Sequence, residues 1–117
     1  MKSHQTSDIV FIQTHGRTVI KRIHSIQILS ADGAYTTIIF DDQDRILCTK
    51  PLGFYAKLLP QPLFYRCHNS YIINISQFKG YNTHTKNAMV GSIPVPVSRR
   101  KYKGLITAVS MYLKEYR

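Results

Sequence analysis

Apolar positions along this chain recur in short bursts with the period of two that marks a half-buried strand. "IVFIQT" and "RTVIKR" flank His15-Gly16, a two-residue spacing that suits a β-hairpin with glycine supplying the positive φ. "SIQILS" alternates Ile26 and Ile28 with polar neighbours, the turn "ADGA" follows, and "YTTIIF" supplies β-branched and aromatic residues. "DDQD" makes another turn before "RILCT". Four or five strands are thus expected by residue 49. Leu52, Tyr55 and Leu59 then recur at helical spacing behind Pro51, and Pro60 and Pro62 stop the helix. "FYRC" and "YIINI" resume strand character, and "QFKGY" and "NAMVG" form a hairpin around the polar tip "NTHTK". The two prolines of "IPVPV" confine it to a sheet edge. Tyr102, Leu105, Ile106, Val109, Leu113 and Tyr116 form the stripe of a closing amphipathic helix, read as a packing face, with Ser98 in position to cap it.

The whole is a mostly β chain with one short internal helix and one C-terminal helix. Its 117 residues suit one domain. The polar "MKSHQTSD" at positions 1–8 reads as a leader or linker stub ahead of a domain over 9–117, and it lacks the apolar centre of a secretory signal. No apolar run approaches the ~20 residues that cross a bilayer. Cys48 and Cys67 show no metal-ligand spacing, which suits two buried thiols in a reducing cytoplasm.

Charge changes the picture. Sixteen Lys and Arg oppose six acids, a formal net charge of +10. From Arg45 through Lys114 there are eleven basic residues and no Asp or Glu, while Asp32, Asp41, Asp42 and Asp44 cluster earlier. Such a surface presents a positive field to polyanions, with nucleic acid as the leading class. Catalysis fits poorly: His15, His24, His68 and His84 are scattered, no nucleophile-base or metal motif occurs, and the basic stretch offers no carboxylate to hold a metal. No enzyme activity, metal or cofactor is expected.

Three constellations could contact a polyanion. "SRRKYKG" opens the last helix with Arg99, Arg100, Lys101 and Lys103, where cations oppose the helix dipole unless an anion docks. Arg99 could fork onto the O6 and N7 edge of guanine, and Arg100, Lys101 and Lys103 onto phosphates. In "FYRCHNSYIIN" the polar block Arg66, His68, Asn69 and Ser70 interrupts two apolar strands. Asn69 has the donor-acceptor pair that reads adenine, while His68 and Ser70 could reach phosphate or brace the loop; Asn-Ser is equally turn chemistry. In "SADGAY" the Asp32-Gly33 turn could extend the Tyr35 hydroxyl, or serve as a plain hairpin turn.

"FYRCHNSYIINISQF" resembles the characteristic segment of the LytTR DNA-binding domain, and "IPVPVSRRKYKGL" resembles that family's closing stretch. "ADGAYTTI" and "KPLGFYAKLLP" match its central strand pair and short helix in the same order, so the resemblance covers about residues 9 to 115. It implies about ten short strands in sheets plus a hairpin, in an elongated body, with loops rather than a recognition helix entering successive major grooves of double-stranded promoter DNA. It further implies pairs of protomers on promoter repeats, with DNA bending. Carried onto this chain, it implicates Tyr35, Asn69 and Arg99 at bases, with Ser70 and Arg100 alongside. Family members usually follow a phosphoacceptor receiver domain, or a membrane segment, so a cytoplasmic response-regulator effector is implied, here either a stand-alone regulator or one domain of a longer chain. Two other readings compete: a single-stranded DNA or RNA-binding β module with Phe54, Tyr65 and Tyr81 as stacking platforms, and a protein-interaction domain with an incidentally basic face.

Overall fold

The computed structural model describes residues 8–116, apart from the Tyr116 side chain; positions 1–7 of the expected leader lie outside the described residues. Within that span the alternating segments become ten strands in three antiparallel sheets. Strands β1 (Ile9–Thr14) and β2 (Arg17–Arg22) make a separate hairpin, closed at His15-Gly16 with Gly16 at φ +90°. Five strands form the central sheet in the order β5-β4-β3-β7-β6. They are β3 (Ile26–Asp32), β4 (Tyr35–Phe40), β5 (Arg45–Cys48), β6 (Phe64–His68) and β7 (Tyr71–Asn74). The third sheet runs β10-β9-β8, from β8 (Phe78–Asn82), β9 (Asn87–Val90) and β10 (Ile93–Pro96). β10 lies at an edge, where Pro94 and Pro96 cost no ladder hydrogen bonds. Helix α1 (Leu52–Leu58) buries Leu52 and Tyr55, and α2 (Tyr102–Tyr116) closes the chain.

The central sheet is apolar on both faces because it separates two cores. Ile26, Leu29, Ile38, Phe40 and Ile72 pack with Val10 and Ile12 of β1 and with α1. On the other face Ile28, Ile39, Ile73 and Cys67 pack against Ala88, Val90, Val95 and the α2 residues Leu105 and Ala108. Ile26 and Ile28 therefore serve opposite cores, although their spacing would put them on one face. A bulge between them shifts the register, pairing Ile26 with Phe40 and Ile28 with Ile39. Buried Asn74 fastens the end of β7: its Nδ2 donates to the Ile26 carbonyl at 2.7 Å, and its Oδ1 accepts from the Ser76 N–H and hydroxyl.

Two expectations need correction. The packing face of α2 is Leu105 and Ala108 with half-buried Val109 and Tyr112, whereas Tyr102, Ile106 and Leu113 of the expected stripe are exposed. The apolar pattern is wider than the surface that β6 and the 3-10 turn Ile75–Gln77 offer it. The body is also a flattened slab of 42 × 39 × 24 Å rather than elongated, because the β1–β2 hairpin and the β10-β9-β8 sheet flank the central one.

Candidate nucleic-acid interface

Antiparallel topology collects the candidate residues at one end of the central sheet. β3 finishes at Asp32 where β7 begins, with Ser30 opposite Tyr71, so the Gly33-Ala34 and Asn69-Ser70 turns project side by side. Two strand spacings separate the two hairpins, about 10 Å. The Ala31 N–H donates to the Ser70 carbonyl at 2.9 Å and ties one turn to the other. The start of the closing helix reaches the same end, because the Ser98 N–H donates to the Cys67 carbonyl at 3.0 Å.

The β6–β7 turn is held by its own polar block. A bulge sets Arg66 and Cys67 opposite a single residue of β7, and bulges re-aim side chains in this way. The Arg66 Nη2 donates to the Asn69 carbonyl at 2.7 Å, and the Ser70 N–H donates to His68 Nδ1 at 3.0 Å. Arg66 and His68 thus organise the loop backbone and leave the exposed Asn69 side chain projecting outward. Ser70 is half-buried beside it. Cys67 beneath is fully buried, and burial pushes its thiol up to about 12, so it stays neutral. Cys48 is likewise buried and free, its thiol raised to about 11 by burial.

Arg99, Arg100 and Lys101 form a 3-10 turn that leads into α2. Ser98 holds the cap position, but its hydroxyl makes no capping bond; its carbonyl accepts the Lys101 N–H at 2.9 Å instead. Tyr65 fastens this turn to the sheet through a 2.8 Å hydrogen bond from its hydroxyl to the Lys101 carbonyl. Gly104 makes that approach feasible, since a Cβ there would overlap the Tyr65 hydroxyl. Arg99, Arg100 and Lys103 are exposed and Lys101 is half-buried. His68, Asn69, Ser98, Arg99 and Arg100 line one open concavity of about 630 Å³. Asn69 and Arg99 therefore share a surface.

Tyr35 stands differently: it is half-buried, and its hydroxyl lies 3.0 Å from His15 Nε2 at the β1–β2 tip. Sequence reasoning passed over a further element, the β8–β9 tip. There Asn82 Oδ1 accepts the N–H groups of His84 and Thr85, and Thr83 and Lys86 line a second hollow with Arg99. The "NTHTK" polarity was the available signal, ordinary for a hairpin loop; the positive φ of Lys86, +63°, is not legible in residue type.

Electrostatics distinguish this end. Of the six acids only Asp32 lies beside these turns. Asp41, Asp42 and Asp44 occupy the β4–β5 turn at the other end of the sheet, about 20 Å away by strand rise. Asp8 precedes β1 at its far end, and Glu115 lies in the last turn of α2. The helix N-terminus adds its partial positive charge at the basic end. Among the described residues no cluster of His, Cys, Asp or Glu could hold a metal, and no helix is long and apolar enough to cross a membrane. Tyr65 is engaged by Lys101, Tyr81 packs on Tyr102 with ring centroids 4.7 Å apart, and Phe54 meets Tyr55 edge-on at 5.2 Å with Lys50 Nζ 5.3 Å from its ring centroid, so each of the three aromatic platforms that single-strand stacking would use already has a neighbour.

A family model described as the LytTr DNA-binding domain matches residues 16–110. No curated protein matches the chain. Among solved structures, the LytTr DNA-binding domain of a Bacillus cereus protein named as a methyl-accepting/DNA response regulator superposes with a TM-score of 0.73 at 23% identity, covering 87% of this chain and 96% of that one. That likeness establishes the fold: mostly β, with a closing helix.

Proposed function

The chain belongs to the LytTr family of DNA-binding domains, and from that premise we propose that it reads double-stranded promoter DNA for a bacterial transcription regulator by inserting its turns into successive major grooves. The observation that carries this reading is the shared exposure of Asn69, Arg99 and Arg100 around one concavity at the end of the sheet that is poor in acids. Asn69 offers the amide pair that matches adenine N6 and N7, and Arg99 offers the fork that matches guanine O6 and N7, each discriminating by about 1–3 kcal/mol. Arg100, Lys101 and Lys103, with Ser70 beside Asn69, hold phosphates and fix the register. Tyr35 adds a base contact from the neighbouring turn, and Lys86 a phosphate contact from the β8–β9 tip. The 42 Å extent of the molecule is on the scale of the ~34 Å of one DNA turn, and a second protomer would occupy a neighbouring repeat.

The domain acts without catalysis or a cofactor, as a cytoplasmic effector whose input comes from a receiver or membrane domain. Selection from a randomised duplex pool tests the reading. A recovered motif with a defined repeat spacing is expected, and Arg99→Ala should weaken binding to that motif more than binding to random duplex. Equal losses on both would reduce Arg99 to a phosphate contact, and recovery of no motif would reject sequence reading altogether.

A further inference from the structure

The β1–β2 tip and the β3–β4 turn belong to separate sheets, yet their side chains meet at the DNA-facing end. His15 Nε2 lies 3.0 Å from the Tyr35 hydroxyl oxygen, and the two rings meet edge-on with centroids 5.7 Å apart. His15 is exposed and Tyr35 half-buried, so core packing does not impose the contact. Backbone hydrogen bonding does place the tip: the Thr49 N–H donates to the Gln13 carbonyl at 2.9 Å, and Cys48 pairs with Thr36 beside Tyr35. Gly16, at φ +90°, gives the two-residue turn the conformation that keeps His15 at its crest.

A tyrosine hydroxyl has one proton and two acceptor lone pairs. Its phenolic O–H is a good donor, and the unprotonated nitrogen of a neutral imidazole is a good acceptor. The favoured arrangement therefore sends the Tyr35 proton to His15 Nε2, with the ring proton of His15 on Nδ1. The oxygen then has only lone pairs to offer a base edge. Lone pairs match the exocyclic amino groups of adenine and cytosine in the major groove; guanine O6 and N7, or thymine O4, would face them acceptor to acceptor.

We propose that His15 is a specificity-determining positioning residue, which holds Tyr35 as a hydrogen-bond acceptor and so directs it to an amino-bearing base. This rests on the reading that Tyr35 faces DNA. Without His15 the hydroxyl regains its rotation and its proton, and can donate to guanine or thymine. The tip thereby contributes to base choice without touching the base.

The test is selection from one randomised duplex pool by wild type, Tyr35→Phe, His15→Phe and His15→Gln, with thermal melting to verify folding. Wild type is expected to recover one position rich in adenine or cytosine that Tyr35→Phe relaxes. His15→Phe should relax the same position about 3- to 10-fold, the scale of one hydrogen bond, now admitting guanine and thymine. His15→Gln, whose Oε1 can accept the same proton, should restore the preference. If Tyr35→Phe relaxes a position that His15→Phe leaves untouched, or relaxes only alongside others, His15 does not position the hydroxyl while Tyr35 remains a base contact. If Tyr35→Phe changes no position, the reading of Tyr35 fails and the role of His15 falls with it. A preference for guanine or thymine at that position in wild type would reverse the assigned hydrogen-bond direction and overturn the proposal.

Discussion

The two ends of the central sheet are built from the same kind of strand and differ in what their turns carry. At one end the Asp41–Asp44 turn closes on itself: the Gln43 N–H donates to the Phe40 carbonyl and the Asp44 N–H to Asp42 Oδ1, both at 2.9 Å. Among the described residues its one ion pair joins half-buried Lys21 to exposed Asp44 at 3.8 Å, and such surface pairs contribute little. At the other end Arg66 and His68 hold the Asn69 turn and Tyr65 holds the Arg99 turn, and among the described residues no hydrogen bond or ion pair occupies the side chains of Asn69, Arg99 and Arg100. Both ends are ordered and both expose polar side chains, but the far turn presents the carboxylates of Asp41, Asp42 and Asp44 whereas this end presents the amide of Asn69 and the cations of Arg99 and Arg100. Backbone order therefore does not distinguish the two ends; the sign of the charge at their crests does, and only the basic end suits a polyanion.

Substitutions should separate the two ends by size of effect. Asn69→Ala or Arg99→Ala is expected to weaken operator binding most, about 10- to 100-fold each, the scale of 1–3 kcal/mol per base contact; quantitative gel retardation on the selected operator measures it. Arg66→Ala removes no DNA contact in this account, but it frees the Asn69 carbonyl and slackens the loop. A loss of about 10-fold in operator affinity is expected, the scale of one charge-assisted hydrogen bond, and equal binding would mean that the loop needs no brace. Gly104→Ala should force Tyr65 away from Lys101 and tilt the Arg99 turn. Against the ~1 kcal/mol that alanine gains over glycine within a helix, the expected result is a melting temperature no higher than wild type and operator binding weakened several-fold.

The smallest effect belongs to the far end. Asp41→Asn, Asp42→Asn and Asp44→Asn together should change operator affinity less than about threefold at physiological salt, because ~20 Å exceeds the ~8 Å screening length. Lys101→Ala and Lys103→Ala should each lower the slope of log affinity against log salt by about one unit, whereas the acid substitutions should leave that slope unchanged. A salt slope that responds to the far end would erase the contrast between the two.

Much of this architecture was legible in residue order. Turn residues at His15-Gly16 and in "NTHTK", prolines in β10, and apolar alternation located ten strands and two helices. What escaped was set by events that strand periodicity does not encode. The bulge at Gln27 sends Ile26 and Ile28 to different cores, and the bulge in β6 re-aims Arg66. The α2 stripe looked complete, but only part of it has a neighbour. At the candidate interface, residue chemistry singled out Asn69 and Arg99, while the partner of Tyr35 lies twenty positions away in another sheet. Polar type alone could not assign Arg66 and His68 to loop bracing, since the same groups serve phosphate equally well.

Backbone amide shifts of the 117-residue chain, followed by NMR during titration with the selected operator duplex, test the central claim most directly. The account predicts large changes at residues 15–17, 33–35, 68–70, 83–86 and 98–103, with the turn at 41–44 unmoved. Changes centred on 41–44, or a silent Asn69 and Arg99 at saturation, would contradict it.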